Sequence, residues 1–390
     1  MNIANDTKRL AIDVLRTPWS VLLIATIIGL VGFQGEASGT AQNITKFIVC
    51  GVGLVPLAKL LSVVVEKLAD KLGDRVGGLI SVILGNLVEI VVSITALTSG
   101  LYYLVITSTV GAVLTNSLLM LGLSTFVAGR KELEVSINSV SSFFQSRMLM
   151  LGTIIIAVPT IIHNSSPFAT EGTKVNIDVI GSSDLDAFAI YSLIIAVLTI
   201  FLYAASFFFQ MGTNKVLFDN DSEKIEDNQD TNVRVKSYGI GSLLIVLAVI
   251  SVLLVMISEP LVDSLQIVAN SSGISVMFVG LFLLPLFGSI SEGLVSFNAA
   301  SKGRINLAIT STVESSSQLL LFVLPVLIII GWFNGHYLHA TVHPASLGFL
   351  ITTVIVLQNI VSNDKLDWYE GLMLITLYLI FVAGSLFIGG

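Results

Sequence analysis

The chain has 390 residues, of which 54% are hydrophobic and only 12% are charged. A water-soluble protein of this length needs far more polar surface, so the composition excludes one and indicates a protein that crosses a membrane many times. The formal net charge of −7 argues against a nucleic-acid partner. The single cysteine, Cys50, excludes an intramolecular disulfide and a cysteine-based metal site.

Hydropathy along the chain predicts eleven membrane-spanning helices. They are expected at residues 18–33, 43–65, 75–98, 103–128, 144–163, 186–210, 237–259, 275–299, 305–332, 342–361 and 370–389. The first span follows a basic segment and resembles a signal peptide. No A-x-A cleavage site follows it, so we expect a retained helix.

The distribution of basic residues predicts how these spans are oriented. With the N-terminus inside, nearly all of the 19 Lys and Arg residues fall in inner segments, whereas the outer segments hold only Lys46 and Lys174. Basic residues favour the inner side of a membrane, and this bias supports eleven spans over ten or twelve. An odd number of spans places the C-terminus outside.

Two related motifs divide the chain into matched halves. GNLVEIVVSITALTSG at 85–100 and GSISEGLVSFNAASKG at 288–303 align at an offset of 203 residues, which sets Gly85 against Gly288 and Glu89 against Glu292. Each half then holds five spans, and an odd number makes the second half enter the membrane from the opposite side. We therefore predict an all-α membrane protein with one extra N-terminal helix and two inverted five-helix repeats.

The repeats define four segments of the chain. Residues 1–42 hold the N-terminal tail and the first span, 43–210 the first repeat, 211–236 an acidic cytoplasmic linker, and 237–390 the second repeat. The linker contains DNDSEKIEDNQD at 219–230. Its composition favours a solvated connection, and a weak cation-attracting or regulatory segment is the alternative.

Each motif carries one carboxylate within an apolar span. A charge at the centre of a membrane helix costs ~2.5–3.5 kcal/mol on insertion scales, so such a group usually faces a cavity or a partner. Helical spacing places neutral polar residues on the same face as each acid. These sets are Asn86, Glu89 and Ser93 in the first motif, and Ser289, Glu292 and Ser296 in the second.

These polar sets suit a hard divalent cation. Calcium takes ~6–8 oxygen ligands from carboxylates, carbonyls and water, and Glu89 and Glu292 match its charge. Gly85 and Gly288 permit a helix break that frees backbone carbonyls as further ligands. The alternative is that the two acids only bridge helices through hydrogen bonds.

A third intramembrane acid, Glu314, occurs in the second half only, because the offset of 203 residues sets it against Gly111. We interpret it as a group near the ion path. The alternatives are a partner in helix packing and a group near the inner mouth.

These motifs resemble those of the calcium/proton exchangers, which are cation/proton antiporters of the calcium/cation antiporter superfamily. The likeness runs from about residue 43 to the end of the chain. The helix at 76–97 is similar to the family's Gly-Asn-x-x-Glu helix, with Asn86 on its asparagine and Glu89 on its ion-binding glutamate. GSISEG is similar to the family's Gly-Asn-x-x-Glu-His, with Glu292 on the second glutamate.

The span that follows each motif carries the same resemblance. GAVLTNSLLMLGLS at 111–124 is similar to a Gly-Ser-x-x-x-Asn helix, with Asn116 on the asparagine. The run at 314–332 is similar to a Gly-Ser-Ser-x-Gln helix, with Gln318 on the glutamine. The chain departs from the family pattern at Ser289 for asparagine, Gly293 for histidine, Ala112 for serine and Glu314 for glycine.

The resemblance implies a secondary antiporter that exports a divalent cation, calcium in the first place, against incoming protons. No nucleophile-base or metal-catalytic set can be assembled from the sequence, so we expect no enzymatic activity, and we expect no cofactor. The partners are then calcium, protons and the lipid bilayer, and a homo-oligomer stays open. The expected ion-binding residues are Glu89, Glu292, Asn86, Ser289, Gly85, Gly288, Gln318, Asn116 and Glu314.

Several alternatives remain at this point. Sodium could replace protons as the counter-ion, manganese or another cation could replace calcium, and a cation channel is a further reading. The short termini favour a prokaryotic plasma membrane, with a vacuolar membrane as the alternative.

Overall fold

The computed structural model is nearly all helical and describes residues 22–32, 39–131, 135–137, 139–165, 181–182, 187–210, 239–272, 275–362 and 365–387. The predicted acidic linker, 211–236, lies outside the described residues. So does most of the predicted N-terminal tail.

Fourteen α-helices are present in the described residues. They are α1 Leu23–Gly32, α2 Thr40–Gly85, α3 Leu87–Thr98, α4 Tyr102–Leu114, α5 Leu121–Lys131, α6 Ser139–Ser165, α7 Ala187–Phe208, α8 Ile240–Ser272, α9 Val276–Phe278, α10 Leu284–Ser301, α11 Ile305–Gln318, α12 Leu324–Asn334, α13 Pro344–Val361 and α14 Trp368–Phe387. The π-helical segments Thr115–Met120, Val279–Leu283 and Leu319–Val323 join α4 to α5, α9 to α10 and α11 to α12.

Two pairs of very short antiparallel strands connect loops. β1 Val135–Ser136 pairs with β4 Lys365–Leu366, and β2 Gly181–Ser182 pairs with β3 Tyr337–Leu338.

Most of these helices are suited to a bilayer. Within the described ranges, eight helices are long and apolar enough to cross a membrane, and the number rises to ten if each of two bent helix pairs counts as one span. The helix α1 is apolar but only 10 residues long. The prediction of a helical, multi-pass integral membrane protein is confirmed at this level.

The two bends lie beside the acids of the two motifs. Val76–Gly85 and Leu87–Thr98 meet at 43°, and Val276–Ile290 and Glu292–Ser301 meet at 60°. At the first bend Asn86 interrupts the helix with φ −96° and ψ 19°. The break expected at the first motif therefore falls directly after Gly85.

The second and third predicted spans, 43–65 and 75–98, are separated by a kink. Within α2, Gly73 has the non-helical angles φ 76° and ψ 168°, a conformation that glycine adopts without a steric penalty. One apolar helix ends at Gly73, and the next begins at Val76 and continues to Gly85. The structure thus separates these two spans, and the first helix extends beyond the predicted end at residue 65.

Matched turns connect α3 to α4 and α10 to α11. Gly100 and Gly303 have φ values of 76° and 80°, in the left-handed region that glycine adopts without a steric penalty. A backbone N–H donates at 2.9 Å across each turn, from Leu101 to the Ala96 carbonyl and from Arg304 to the Ala299 carbonyl. The turns are thus separated by the same 203 residues as the sequence motifs.

The chain forms two compact units, each drawn from both halves of the sequence. The first comprises Met1–Val92 and Gln210–Ser272, and the second comprises Ser93–Phe209 and Gly273–Gly390. In the first unit α2 packs along α8 and α1, and the Thr26 hydroxyl of α1 donates to the Gly53 carbonyl at 2.8 Å. In the second unit α10 packs against α5, α11 and the segment Thr115–Met120.

Candidate ion-binding site

The Glu292 carboxylate, on α10, accepts two side-chain hydrogen bonds at one oxygen. Asn116 Nδ2 donates to Glu292 Oε2 at 2.7 Å, and Ser315 Oγ donates to the same oxygen at 2.7 Å. Asn116 Nδ2 also lies 3.3 Å from Ser315 Oγ. Two neutral groups from two neighbouring elements therefore hold this acid.

The local fold explains how Asn116 reaches this acid. Asn116 lies in the π-helical segment Thr115–Met120, between α4 and α5, and is 1% exposed. A π-helical turn inserts a residue into a helix and rotates the following side chains, and such turns occur frequently at functional sites. The turn therefore gives this segment a face that regular helical spacing does not predict.

Further hydroxyl contacts join the same elements on either side of Asn116 and Glu292. Ser117 Oγ donates to Ser316 Oγ at 2.9 Å, which joins the π-helical segment to α11. Ser124 and Ser296 place their hydroxyls 2.7 Å apart, which joins α5 to α10. Buried interhelical hydrogen bonds of this kind fix the relative positions of helices in a membrane.

Two buried oxygens near this acid accept no hydrogen bond from any other described residue. Ser289 lies three residues before Glu292, on the other side of the 60° bend, is 0% exposed, and has a hydroxyl without a partner among the described residues. The Asn116 side-chain oxygen is also buried and has no hydrogen-bond partner among the described residues. Leaving a buried polar atom unpaired costs about 1–3 kcal/mol. Both atoms are of the kind that hard cations bind.

The acid of the first motif lies in the first unit. Glu89 is in the first turn of α3, where the helix dipole favours a negative charge. Asn86 precedes this helix and is 1% exposed, and its Nδ2 donates to the Val82 carbonyl at 3.2 Å. The break at Gly85 thus places a carboxylate and an amide at the start of a new helix.

Glu314 and Gln318 face another neighbour of α11. Gln318 Nε2 donates to Glu314 Oε1 at 3.2 Å. Tyr203 of α7 lies close to the Gln318 side chain and to the Glu314 carboxylate. On α11, Ser315 therefore points to Glu292, whereas Glu314 and Gln318 meet α7.

The predicted ion-binding residues are distributed over both units. Glu89, Asn86 and Gly85 belong to the first unit, and Glu292, Ser289, Gly288, Asn116, Gln318 and Glu314 belong to the second. Direct hydrogen bonds join Asn116 to Glu292, and Gln318 to Glu314. Ser289 and Gly288 lie on α10 within the two helical turns before Glu292.

Sequence reasoning did not single out Ser124, Tyr203 or Met120. For Ser124 and Tyr203, a hydroxyl group within an apolar span was the sequence feature that could have identified them. Their partners come from distant helices, which helical spacing does not identify.

The donor set around Glu292 consists of oxygen and amide groups. In the part of the chain that the structure describes, no three His, Cys, Asp or Glu side chains come together as a ready-made metal cluster. A carboxylate with neutral oxygens suits hard cations that keep some water, whereas softer metals prefer imidazole or thiolate. This arrangement can hold either a hard cation or a proton.

The chain matches the family model described as "Sodium/calcium exchanger protein" over residues 43–212 and 242–387. It is 26% identical over 382 residues to a Synechocystis sp. protein named "Ca(2+)/H(+) antiporter", with 96% of this chain and 99% of that protein covered. It is also 26% identical over 382 residues to the "Vacuolar calcium ion transporter" of Schizosaccharomyces pombe, with 98% of this chain and 87% of that protein covered.

Among solved structures, the fold is similar to that of native YfkE. The TM-score is 0.74 at 25% sequence identity, and the match covers 95% of this chain and 99% of that one. The family resemblance predicted from the motifs is confirmed by these matches.

Proposed function

Because the chain belongs to the sodium/calcium exchanger protein family, we propose that it is a secondary antiporter that exchanges a divalent cation, calcium in the first place, for protons. The names of the two relatives support calcium as the cargo. The name of the Synechocystis relative supports protons as the counter-ion. Membership of a transporter family also favours transport over catalysis.

The observation that carries this proposal is the Glu292 carboxylate, held by Asn116 and Ser315 inside a membrane protein. An ionised carboxylate is a ligand for calcium, whereas a protonated one has lost its negative charge and uses one oxygen as a donor. Calcium and a proton therefore exclude each other at this group. Exchange follows if the site changes its exposure from one membrane face to the other only when one of them is bound.

Glu89 is proposed as the second acidic ligand, because it takes the place of Glu292 in the matched motif. Asn86, Ser289, Asn116, Gln318 and the carbonyls near Gly85 and Gly288 are proposed to complete the shell. Glu314 is proposed to lie near the ion path, because an acid within an apolar span is costly and usually faces a cavity or a partner.

The architecture is proposed to consist of α1 and two inverted five-helix repeats, 43–210 and 237–390, joined by an inner solvated linker. The short apolar helix α1 would be an additional span at the N-terminal end, which brings the total to eleven. The matched turns at Gly100 and Gly303 support the repeat. Two π-helical segments also support the repeat. When the residue numbers of Thr115–Met120 are raised by 203, that segment overlaps Leu319–Val323. In such transporters, alternating access arises as one bundle moves against the other around a fixed site.

Transport by the purified full chain in proteoliposomes tests the function. With an acidic interior and equal external and internal calcium, we expect calcium to accumulate inside as protons leave. Glu89→Gln and Glu292→Gln should each abolish this accumulation, because an amide cannot carry the charge that binds calcium. Ser311→Ala is the control, since among the described residues the Ser311 hydroxyl bonds only the Ala308 carbonyl of its own helix.

The outcomes distinguish the alternatives. Accumulation driven by a sodium gradient alone would replace protons by sodium, which the family description keeps open. Uptake of manganese in preference to calcium would change the cargo. Calcium movement only down its own gradient would indicate a channel. Full uptake by Glu292→Gln would contradict the assigned site.

The protein is a multi-pass integral membrane protein. We propose a prokaryotic plasma membrane as its location, with a vacuolar membrane as the alternative because the Schizosaccharomyces relative is named as vacuolar.

A further inference from the structure

Gly293, which follows Glu292 on α10, packs directly against Met120. A Cβ atom at position 293 would overlap Met120 Sδ and would lie 2.9 Å from its Cγ and 3.0 Å from its Cε. These atoms form the flexible end of the Met120 side chain, so alanine at position 293 would require Met120 to adopt another rotamer. Met120 is only 8% exposed, so its side chain is also confined by other neighbours.

This contact belongs to the same interface as the hydrogen bond between Asn116 and Glu292. Met120 is the last residue of the π-helical segment in which Asn116 lies. Two adjacent residues of α10, Glu292 and Gly293, therefore contact two residues about one turn apart in that segment. Together the two contacts fix both the distance and the rotation of the segment relative to α10.

The matched motif in the first half indicates that glycine is not a general requirement after the acid. Ile90 follows Glu89 at the position that corresponds to Gly293. The glycine is thus explained by the local approach of Met120, which occurs beside Glu292.

We propose that Gly293 and Met120 are positioning residues for the cation site at Glu292. Their contact holds Asn116 within hydrogen-bonding distance of the carboxylate and thereby sets the affinity for the transported cation. Neither residue needs to touch the cation. This inference rests on the proposed function, in which Glu292 is a cation ligand.

The test measures the calcium dependence of proton-driven uptake by the full chain in proteoliposomes. Gly293→Ala should displace the Met120 side chain and weaken the bond from Asn116, which should raise the apparent KM for calcium about tenfold. The double variant Gly293→Ala/Met120→Ala should return KM to within about threefold of the parent, because the added methyl group enters the vacated space. A role confined to stability would not produce this recovery of KM.

Gly152→Ala is the matched control. A Cβ atom at position 152 would lie 2.8 Å from Leu320 Cβ, so this variant crowds another helix contact in the same unit. We expect it to lower the midpoint of thermal unfolding and leave the calcium KM unchanged.

The results separate this inference from the proposed function. An unchanged KM in Gly293→Ala, or a double variant that remains as impaired as the single one, would overturn the positioning role. Normal uptake by Glu292→Gln would instead show that the assignment of the site itself is wrong.

Discussion

Two donors converge on a single oxygen of Glu292, and each reaches it from a different helical element. Hydrogen bonds to a charged group contribute about 1.5–3 kcal/mol, roughly twice the contribution of neutral ones. Asn116 and Ser315 also lie 3.3 Å from each other. The two donors are therefore coupled, and removing one should change how strongly the other binds Glu292.

We predict that Asn116→Ala and Ser315→Ala each raise the apparent KM for calcium about tenfold, because the carboxylate loses part of the support that orients it. Their effects should not add, since contacting residues of one network usually show interaction energies of about 0.5–3 kcal/mol. Initial rates of uptake at varied calcium concentrations measure this. The control is Ser311→Ala on the same helix, and strictly additive effects would contradict a shared network.

At the residue scale, the sequence identified the acids but not their partners. The cost of placing Glu89, Glu292 and Glu314 in apolar spans marks them without any structure. Helical spacing also groups Ser289 with Glu292. It cannot reveal that Asn116 bonds Glu292, because that contact joins residues 176 positions apart.

The elements that follow each motif begin and end at equivalent positions. The helices α3 and α10 end at Thr98 and Ser301, and α4 and α11 begin at Tyr102 and Ile305. Both pairs are separated by 203 residues. The turn glycines between them make this precise reversal of the chain sterically accessible.

We predict that Gly100→Ala and Gly303→Ala each destabilise the protein by about 1–2 kcal/mol, because a side chain at these left-handed positions meets the backbone. Gly348→Ala is the matched control. Gly348 lies within α13 with open space around its α-carbon, so alanine there should be neutral or stabilising by up to about 1 kcal/mol. Thermal unfolding of the detergent-purified chain measures all three, and equal midpoints would contradict the role of the turns.

At the element scale, apolar periodicity predicted most helices and missed their internal irregularities. The predicted spans 103–128 and 305–332 correspond to helices that contain π-helical segments. No residue pattern marks such a segment, since tertiary contacts select it. The kink within α2 at Gly73 is a further irregularity that the sequence pattern does not locate, because hydropathy reports solvent preference and not backbone conformation.

The number of spans after the acidic linker decides whether the linker and the C-terminus lie on the same face of the membrane. The proposed six spans before the linker and five after it would place the linker and the C-terminus on opposite membrane faces. The location of nearly all Lys and Arg in the proposed inner segments favours an inner linker. The proposed inverted repeat requires an odd number of spans in the second half. The membrane face on which the linker lies is inferred separately, from the distribution of basic residues.

We predict that a membrane-impermeant maleimide labels Gly390→Cys from outside intact cells and labels Ser222→Cys only after permeabilisation. Both variants are made in a Cys50→Ala background, which removes the one native thiol, itself 0% exposed. The unsubstituted background is the control for non-specific labelling. Labelling of both positions from the same face would mean an even number of spans after the linker and would exclude inverted five-helix repeats. Labelling of the linker from outside and the C-terminus from inside would preserve the repeat and reverse the orientation, because the two conclusions rest on span parity and on charge respectively.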